Sequence, residues 1–264
     1  MPFGLTGESL IEANAVYVLV AREFKKFIRE KSRLISTLAR PLIWLFLVGG
    51  GMSRLVSPGM GVMGVSYMQF IFPGILGMTI LFSSIFSSIS IIWDKEFGLM
   101  KEILVAPVSR LSIVIGKALS GTIVSVIQAI IILGLFPFLG LRLGIFSIIE
   151  TILVSTLLSF CIASLGIVIA TFYESFESFS VIMNFVVMPM FFLSGAMYPV
   201  KMLPDILKVL TRLNPFTYGI DALKHTVFGG MGIFDFPLLV DVGVMVFLSV
   251  IFVLIAGVLF ERKK

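Results

Sequence analysis

One cysteine and one histidine stand in the whole chain, Cys161 and His225. A lone thiol builds no disulfide framework within the chain. A single imidazole cannot by itself hold a metal ion. With one histidine, and a cysteine deep inside an apolar run, no Ser/His/Asp or Cys/His nucleophile system can be assembled. Charge is scarce too, at 13% of residues, where soluble domains run at about 25%. None of the fifteen acidic residues falls at the centre of a long apolar run. Proton- and sodium-coupled carriers use a buried carboxylate as relay or ligand, and here only Gln128 and Asn184 lie at depth. That argues against an ion-gradient engine, backbone-carbonyl sites aside. The nearest approach to a phosphate loop is Leu111-Ser112-Ile113-Val114-Ile115-Gly116-Lys117-Ala118. It has Leu111 for the opening glycine and Ala118 for the Mg²⁺-binding Ser/Thr, so it reads as the start of an apolar run. The first 33 residues are polar and charged and show no secretory signal, so the N-terminus is expected to stay.

What the chain has is apolar length. Hydrophobic residues make up 58% of it, and the mean hydropathy is +1.12. Six apolar runs cover residues 38–56, 68–93, 112–140, 145–171, 179–198 and 238–260. Crossing a bilayer core takes about 20 residues as a helix, and lipid offers no partner to free backbone groups. The expected fold is an all-α integral membrane protein with six transmembrane helices. It forms one domain over 1–264: an amphipathic N-terminal segment to residue 37, a six-span body over 38–260 and a short tail from 261. Lysine and arginine decide orientation. Arg22, Lys25, Lys26, Arg29, Lys31, Arg33, Lys95, Lys101, Arg110, Arg262, Lys263 and Lys264 fall on one side. Arg54, Arg142, Lys201, Lys208, Arg212 and Lys224 fall on the other. Both termini are therefore expected in the cytoplasm. Arg40 and Lys117 sit near span ends and are expected to snorkel to the interface. The net charge of +5 is then a topology signal and a contact for anionic lipid, not a sign of nucleic acid.

Outside the spans three helical patterns stand out. In residues 8–35, Tyr17, Val20, Phe24, Phe27 and Ile28 recur at helical spacing, opposite a stripe of Arg22, Lys26, Arg29 and Arg33. Such a helix lies in the membrane plane, either as an anchor or as a lever for a cytoplasmic partner. Pro41 suits a first helical turn, so a bend near Arg40 is expected before span 1. Between spans 2 and 3, Phe97, Met100, Ile103 and Leu104 form a greasy face in a charged loop that Pro107 ends. That face either docks in a partner's groove or rests on the membrane. Before span 6, Leu203, Ile206, Leu207, Leu210 and Leu213 form one short helix. Phe216, Ile220, Leu223 and Val227 form a second, with Asn214 as N-cap, Pro215 in first position and Gly229-Gly230 at its end. This pair either dips into the outer leaflet or caps a pathway. Ser83, Ser84, Ser87 and Ser88 in span 2, and Ser155, Ser159 and Ala163 in span 4, read as seams for close helix packing before they read as substrate ligands.

Three stretches carry a family likeness: Ser66-Tyr67-Met68-Gln69-Phe70-Ile71-Phe72-Pro73-Gly74, residues 96–117, and Leu213-Asn214-Pro215-Phe216-Thr217-Tyr218-Gly219-Ile220-Asp221-Ala222-Leu223. With them the chain resembles, over nearly its whole length, the permease subunits of type-2 ABC exporters. That group includes drug-resistance permeases, nodulation-factor exporters and polysaccharide exporters, and the likeness is closer to the drug and nodulation branch than to the O-antigen branch. The resemblance implies six spans in the inner or plasma membrane and both termini inside. It implies two permease copies, expected as a homodimer, and two copies of an ABC ATPase subunit that binds the ATP and Mg²⁺. This chain itself would need no cofactor and would be no enzyme. The N-terminal helix and the loop after span 2 would touch the ATPase, with Glu96, Lys101, Glu102, Pro107 and Arg110 as coupling contacts. The helices over 203–228 would form a re-entrant hairpin near the exit, with Asn214, Pro215, Phe216 and Tyr218 as an outer gate. The pathway would lie at the permease interface, lined by Trp44, Phe46, Asn184, Met188, Met190, Phe191 and Phe192.

Met and Phe adapt to varied apolar ligands, and the same side chains suit lipid equally well. Five Tyr and two Trp offer few rings for sugar stacking, so a lipophilic or amphipathic cargo is expected. Export of a lipid-linked polysaccharide, a membrane scaffold or assembly factor without transport, and a gradient-driven carrier remain as alternatives.

Overall fold

The structure, a computed structural model, describes residues 12–29, 31–56, 65–98 and 108–262. Those residues are helical with short connections and contain no strand. The N-terminal helices are α1 (Ala13–Arg29) and α2 (Lys31–Ile43). A π-helical segment, Trp44–Gly49, leads on to α3 (Gly50–Val56). Pro41, expected in a first helical turn, lies inside α2 instead. Proline removes one backbone hydrogen bond and crowds the preceding turn. The helix passes through it and widens into the π segment three residues later, which absorbs the displaced register.

α4 (Tyr67–Ser87) starts on a capping box. The Ser66 side chain accepts the Gln69 N–H, and the Gln69 side chain accepts the Ser66 N–H. After a hitch at Ser88 the same apolar rod continues as α5 (Ile89–Glu96). α6 (Arg110–Leu133) and α7 (Ile145–Phe172) follow. The third apolar run ends seven residues earlier than its hydropathy suggests. Leu133 closes the helix, a 3₁₀ turn covers Phe136–Leu139, and Gly140 takes a left-handed φ of 70°. Pro137 offers no N–H to continue the ladder, and Gly140 accepts a turn that a side chain would resist. The fifth run becomes α8 (Phe176–Ile182), a second π segment (Met183–Val187) and α9 (Met188–Phe192). The hairpin is α10 (Asp205–Leu213) and α11 (Pro215–Phe228), and α12 (Leu238–Arg262) closes the chain.

Among the described residues, four helical rods are long and apolar enough to cross a membrane: Tyr67–Glu96, Arg110–Leu133, Ile145–Phe172 and Leu238–Glu261. Two shorter apolar stretches, Leu38–Ser53 and Phe176–Phe192, coincide with the first and fifth runs. α4 is the centre, with every side chain from Ile71 to Ile85 buried. It packs on α6, α7 and α11, while α12 leans on α7 and α11. The outward side chains of α12, among them Leu239, Phe247, Val250 and Leu254, are exposed. A helix apolar on all faces needs apolar surroundings on all faces, here protein for α4 and lipid for much of α12.

Small residues bring these rods together. Ser84 Oγ meets Ser125 Oγ at 2.8 Å across α4 and α6. A Cβ on Gly166 of α7 would stand 2.5 Å from Ser88 Oγ. The serine pattern thus marks close contacts between helices, with Ser84 and Ser87 hydrogen-bonded and the Ser83, Ser88 and Ser159 hydroxyls buried without a partner among the described residues. Gly74 is tighter still. A Cβ there would come within 2.4 Å of the Ala196 backbone oxygen, and a backbone atom cannot swing aside. Gly74→Ala is expected to lower the thermal midpoint of the purified chain, at an overpacking cost of about 1–3 kcal/mol. Gly243→Ala on the open face of α12, where nothing lies within 4 Å, is expected to leave the midpoint unchanged or raise it, since alanine is the better helix former. Equal midpoints for Gly74→Ala and the parent chain would remove the close-contact account.

Candidate functional site

The helices group their connections into two ends. One carries α1, α5, the start of α6 and the end of α7. The other carries the start of α4, the loop over 134–144, the turn after α9 and the hairpin. Hydrogen bonds tie that second end together, from Gln69 Nε2 to Leu139 O at 3.0 Å and from Tyr67 OH to Met197 O at 3.3 Å.

At the first end lies a closed ring of four charges. Lys117 Nζ, eight residues after the α6 cap Ser109, donates to Asp94 Oδ2 at 2.6 Å, Glu23 Oε1 at 3.1 Å and Ser90 Oγ at 3.1 Å. An ammonium has three protons, and each finds an acceptor. Arg22 Nη2 donates to the same two carboxylates, to Glu23 at 2.9 Å and Asp94 at 3.3 Å. Two cations thus face two anions, each carboxylate bridged by both. The Lys117 side chain is 3% exposed, Asp94 8% and Glu23 13%, while Arg22 reaches solvent at 44%. Lys117 therefore does not snorkel as its position suggests; its charge stays inside the ring. Burial alone would raise the Glu23 carboxyl, but the Lys117 ammonium and the Arg22 guanidinium outweigh it and hold Glu23 below its usual value.

The ring fastens α1 to the ends of two membrane rods. Further contacts reinforce it. Lys26 Nζ stands 4.3 Å over the Trp93 ring, and the Glu12 N–H donates to Ser112 Oγ at 2.8 Å. Lys95 Nζ donates to the carbonyls of Ala170, Thr171 and Tyr173 at 2.7, 3.1 and 2.9 Å, capping the C-terminus of α7 where a cation is favoured. α5 is thereby held between α1, α6 and α7, and beyond it the chain runs into residues 99–107.

Of the coupling residues that the family likeness implies, Glu96 closes α5 and is exposed, and Arg110 opens α6. Lys101, Glu102 and Pro107 lie outside the described residues. On the basic stripe, Arg22 and Lys26 face α5 and α6, and Arg29 is exposed at the end of α1. The side chain of Arg33, on α2, is outside the described set. Glu23, Asp94 and Lys117 were not singled out as site residues in the sequence. The signal was present, in opposite charges near the facing ends of two apolar runs, but nothing local said that the ends meet.

The pathway residues from separate runs partly converge. Trp44 meets Phe191 and Phe192 edge-on at centroid distances of 6.3 and 6.2 Å, and those two rings are 5.5 Å apart. Phe191 is buried within the chain, Phe46 and Asn184 are exposed, and Met188 and Met190 are half-buried. Asn184 Nδ2 donates to Ser180 O within its own helix. Both helical segments of this patch carry a π-helical turn. In the hairpin, Asn214 caps α11 by accepting the Phe216 N–H and donates to Met190 O at 2.7 Å. Pro215 takes the first helical position, Phe216 is fully buried, and Tyr218 OH donates to Arg212 O at 2.7 Å.

Long apolar rods, with an amphipathic helix fastened to their ends by buried charge, define a helical membrane protein. The sequence pattern of the ABC-2 type transporter family matches residues 14–228. The chain belongs to that family, and is the membrane permease subunit of an ABC transporter, a role that implies an ABC ATPase subunit as partner. Among its relatives is the inner membrane transport permease YadH of Escherichia coli K12. It is 30% identical over 92% of this chain and 93% of its own length. The ycf38 protein of Cyanophora paradoxa, named for a transport permease, is 30% identical over 94% of this chain and 88% of its own. Nodulation protein J of Rhizobium meliloti is 29% identical over 74% of each.

The ring makes two testable demands. Removing one member leaves a buried charge unbalanced, at a cost of about 3–5 kcal/mol. Asp94→Leu or Lys117→Met alone should lower the thermal midpoint and expose α1 to protease. The double variant keeps the Arg22–Glu23 pair in balance and should recover most of the loss; additive losses would show that the ring is not a unit. The second concerns pH. A carboxyl with a depressed folded value stabilises above its unfolded value, and the contribution is lost as pH falls through the folded one. Release of α1, followed by hydrogen exchange, should therefore begin only below the usual glutamate value of 4.5. Release near pH 6 would assign the sensitivity to another group.

Proposed function

We propose that this chain is the membrane half of an ATP-driven exporter that moves a lipophilic or amphipathic compound outward. Six helices span the membrane, the shorter apolar stretches Leu38–Ser53 and Phe176–Phe192 serving as the first and fifth. Both termini lie in the cytoplasm, as the distribution of Lys and Arg favours, and the α1 end faces the ATPase. Two copies of the chain, forming a homodimer, pair with two ATPase copies that bind ATP and Mg²⁺.

The observation that carries this reading is the buried charge ring. An amphipathic helix that served only as an anchor would need its apolar face and little else. α1 is instead locked to α5 and α6, the two helices that residues 99–107, with Lys101, Glu102 and Pro107, join in sequence. A push on α1 or on that loop would reach the rods as rigid-body motion. Rocking of the rods would then open the interface of the two copies outward, by alternating access. Trp44, Phe191 and Phe192, with Met188 and Met190, offer the cargo an adaptable apolar surface. The hairpin, held to α9 by Asn214, acts as the outer gate.

The deciding experiment is purification of the chain from its own membranes in mild detergent, with identification of stoichiometric partners. An ATPase carrying a phosphate-binding loop is expected, along with ATP turnover that rises when amphipathic compounds are added. Glu102→Arg should cut that stimulation at least about tenfold, an effect worth roughly 1.4 kcal/mol of coupling, without lowering the thermal midpoint. Recovery of the chain alone, under conditions that keep a known exporter complex intact, would transfer the case to a membrane scaffold.

A further inference from the structure

A second cluster of ionisable side chains sits at the opposite end of the rods, apart from the charge ring. Asp221, Lys224 and His225 stand three and four residues apart on α11, so they share one face. That face meets the loop over 229–237 and the first turn of α12. The Asp221 carboxylate accepts the Asp235 N–H at 2.9 and 3.0 Å and the Phe236 N–H at 2.7 Å. The His225 ring stacks on Phe234 at 3.7 Å, and its Nε2 lies 2.7 Å from the Phe236 carbonyl oxygen. Asp241 enters from α12 and brings Oδ2 to 3.9 Å from His225 Nε2.

Asp241 is the anomaly. It is fully buried, at 0% exposure, and among the described residues neither of its oxygens accepts a hydrogen bond. Burying a carboxylate without a partner is costly. The neighbouring cation acts on it only from a distance: Lys224 Nζ lies over the Phe70 ring, 5.3 Å from its centroid, and makes no direct ion pair with these acids among the described residues. One donor atom each from Asp221, His225 and Asp241 lie within 4.8 Å of one another.

We propose that Asp221, His225 and Asp241 form a site for a divalent transition cation of the Zn²⁺ class, one that clamps the hairpin to the last helix. Two carboxylates and one imidazole are a donor set for such ions. Asp221 keeps lone pairs for a metal after accepting two N–H groups, and those N–H bonds fix its direction as outer-shell contacts do in metal sites. Zn²⁺ bonds of about 2.0–2.2 Å put tetrahedral donors about 3.4 Å apart. The 3.9 Å gap between His225 and Asp241 closes slightly on binding. To take the ion, the neutral His225 ring adopts the tautomer protonated at Nδ1, so that Nε2 exchanges its contact with the Phe236 oxygen for the metal. The clamp would join α11, the loop after it and α12, three segments otherwise linked only by short hydrogen bonds and packing. It does not depend on the transport reading.

The test uses the full chain in lipid nanodiscs, purified through a tag without histidine and dialysed against micromolar Zn²⁺. Elemental analysis should count about one zinc per chain, and Zn²⁺ should raise the thermal midpoint. Asp241→Asn and His225→Gln should each weaken binding at least about tenfold, the scale on which metal sites respond to lost contacts, and abolish the rise. Asp205→Asn, on an exposed carboxylate of the same hairpin, should change neither. Should Asp241→Asn fail to fold, His225→Gln decides, because that ring is partly exposed. Sub-stoichiometric zinc in the parent chain, or zinc retained by His225→Gln, would overturn the proposal.

Discussion

The burial of α4 on every face is the constraint on which the other elements depend. A rod without a polar side has no preferred rotation in an apolar solvent, because lipid tails and leucine side chains are alike in hydrophobic terms. Shape must orient it. Gly74 admits the turn at Ala196, Gly77 admits Ile220 and Phe216 of the hairpin, and Ser84 reaches Ser125. Once α4 is set by these contacts, its extension α5 puts Asp94 beside Lys117. Its opening turn also receives the 134–144 loop through Gln69. The two ends of the molecule are thus positioned by one helix.

At each end, ionisable groups enter the structure in a way that fits their surroundings. The charge ring is balanced, with every Lys117 proton accepted and both carboxylates shared. In a buried setting such balance favours one arrangement over nearby ones more than it adds stability. A ring of this kind suits a joint between a surface helix and a membrane rod. It holds α1 in a single register while leaving Arg22 open to solvent and to a partner. The cluster of Asp221, His225 and Asp241 is instead unbalanced, and Asp241 has no hydrogen bond among the described residues. The first site explains itself from the chain's own side chains, and the second asks for something added.

Much of the fold was legible in the chain. The apolar runs, the amphipathic stripe of Arg22, Lys26 and Arg29, the Asn214–Pro215 helix start and the serine seams all follow from period and local preference. The errors had local causes as well. Pro41 was read as a boundary, yet a proline can be carried inside a helix that widens after it. The third run was read as longer than it is, because Leu135, Phe136, Phe138 and Leu139 carry its hydropathy onward past a helix that Pro137 and Gly140 do not continue.

Composition and spacing alone determined that this is a helical membrane protein, and which faces of its short helices are greasy. Those properties depend on each segment's exchange with water or lipid, which a segment settles by itself. Only the tertiary structure decided which charges meet. Glu23 and Lys117 are 94 residues apart, and His225 and Asp241 come from different helices. The energy of such pairs lies in distance and desolvation, which no single segment contains. Lys117 could equally have reached the membrane surface. It remains inside because α1 and α5 bring two carboxylates to it.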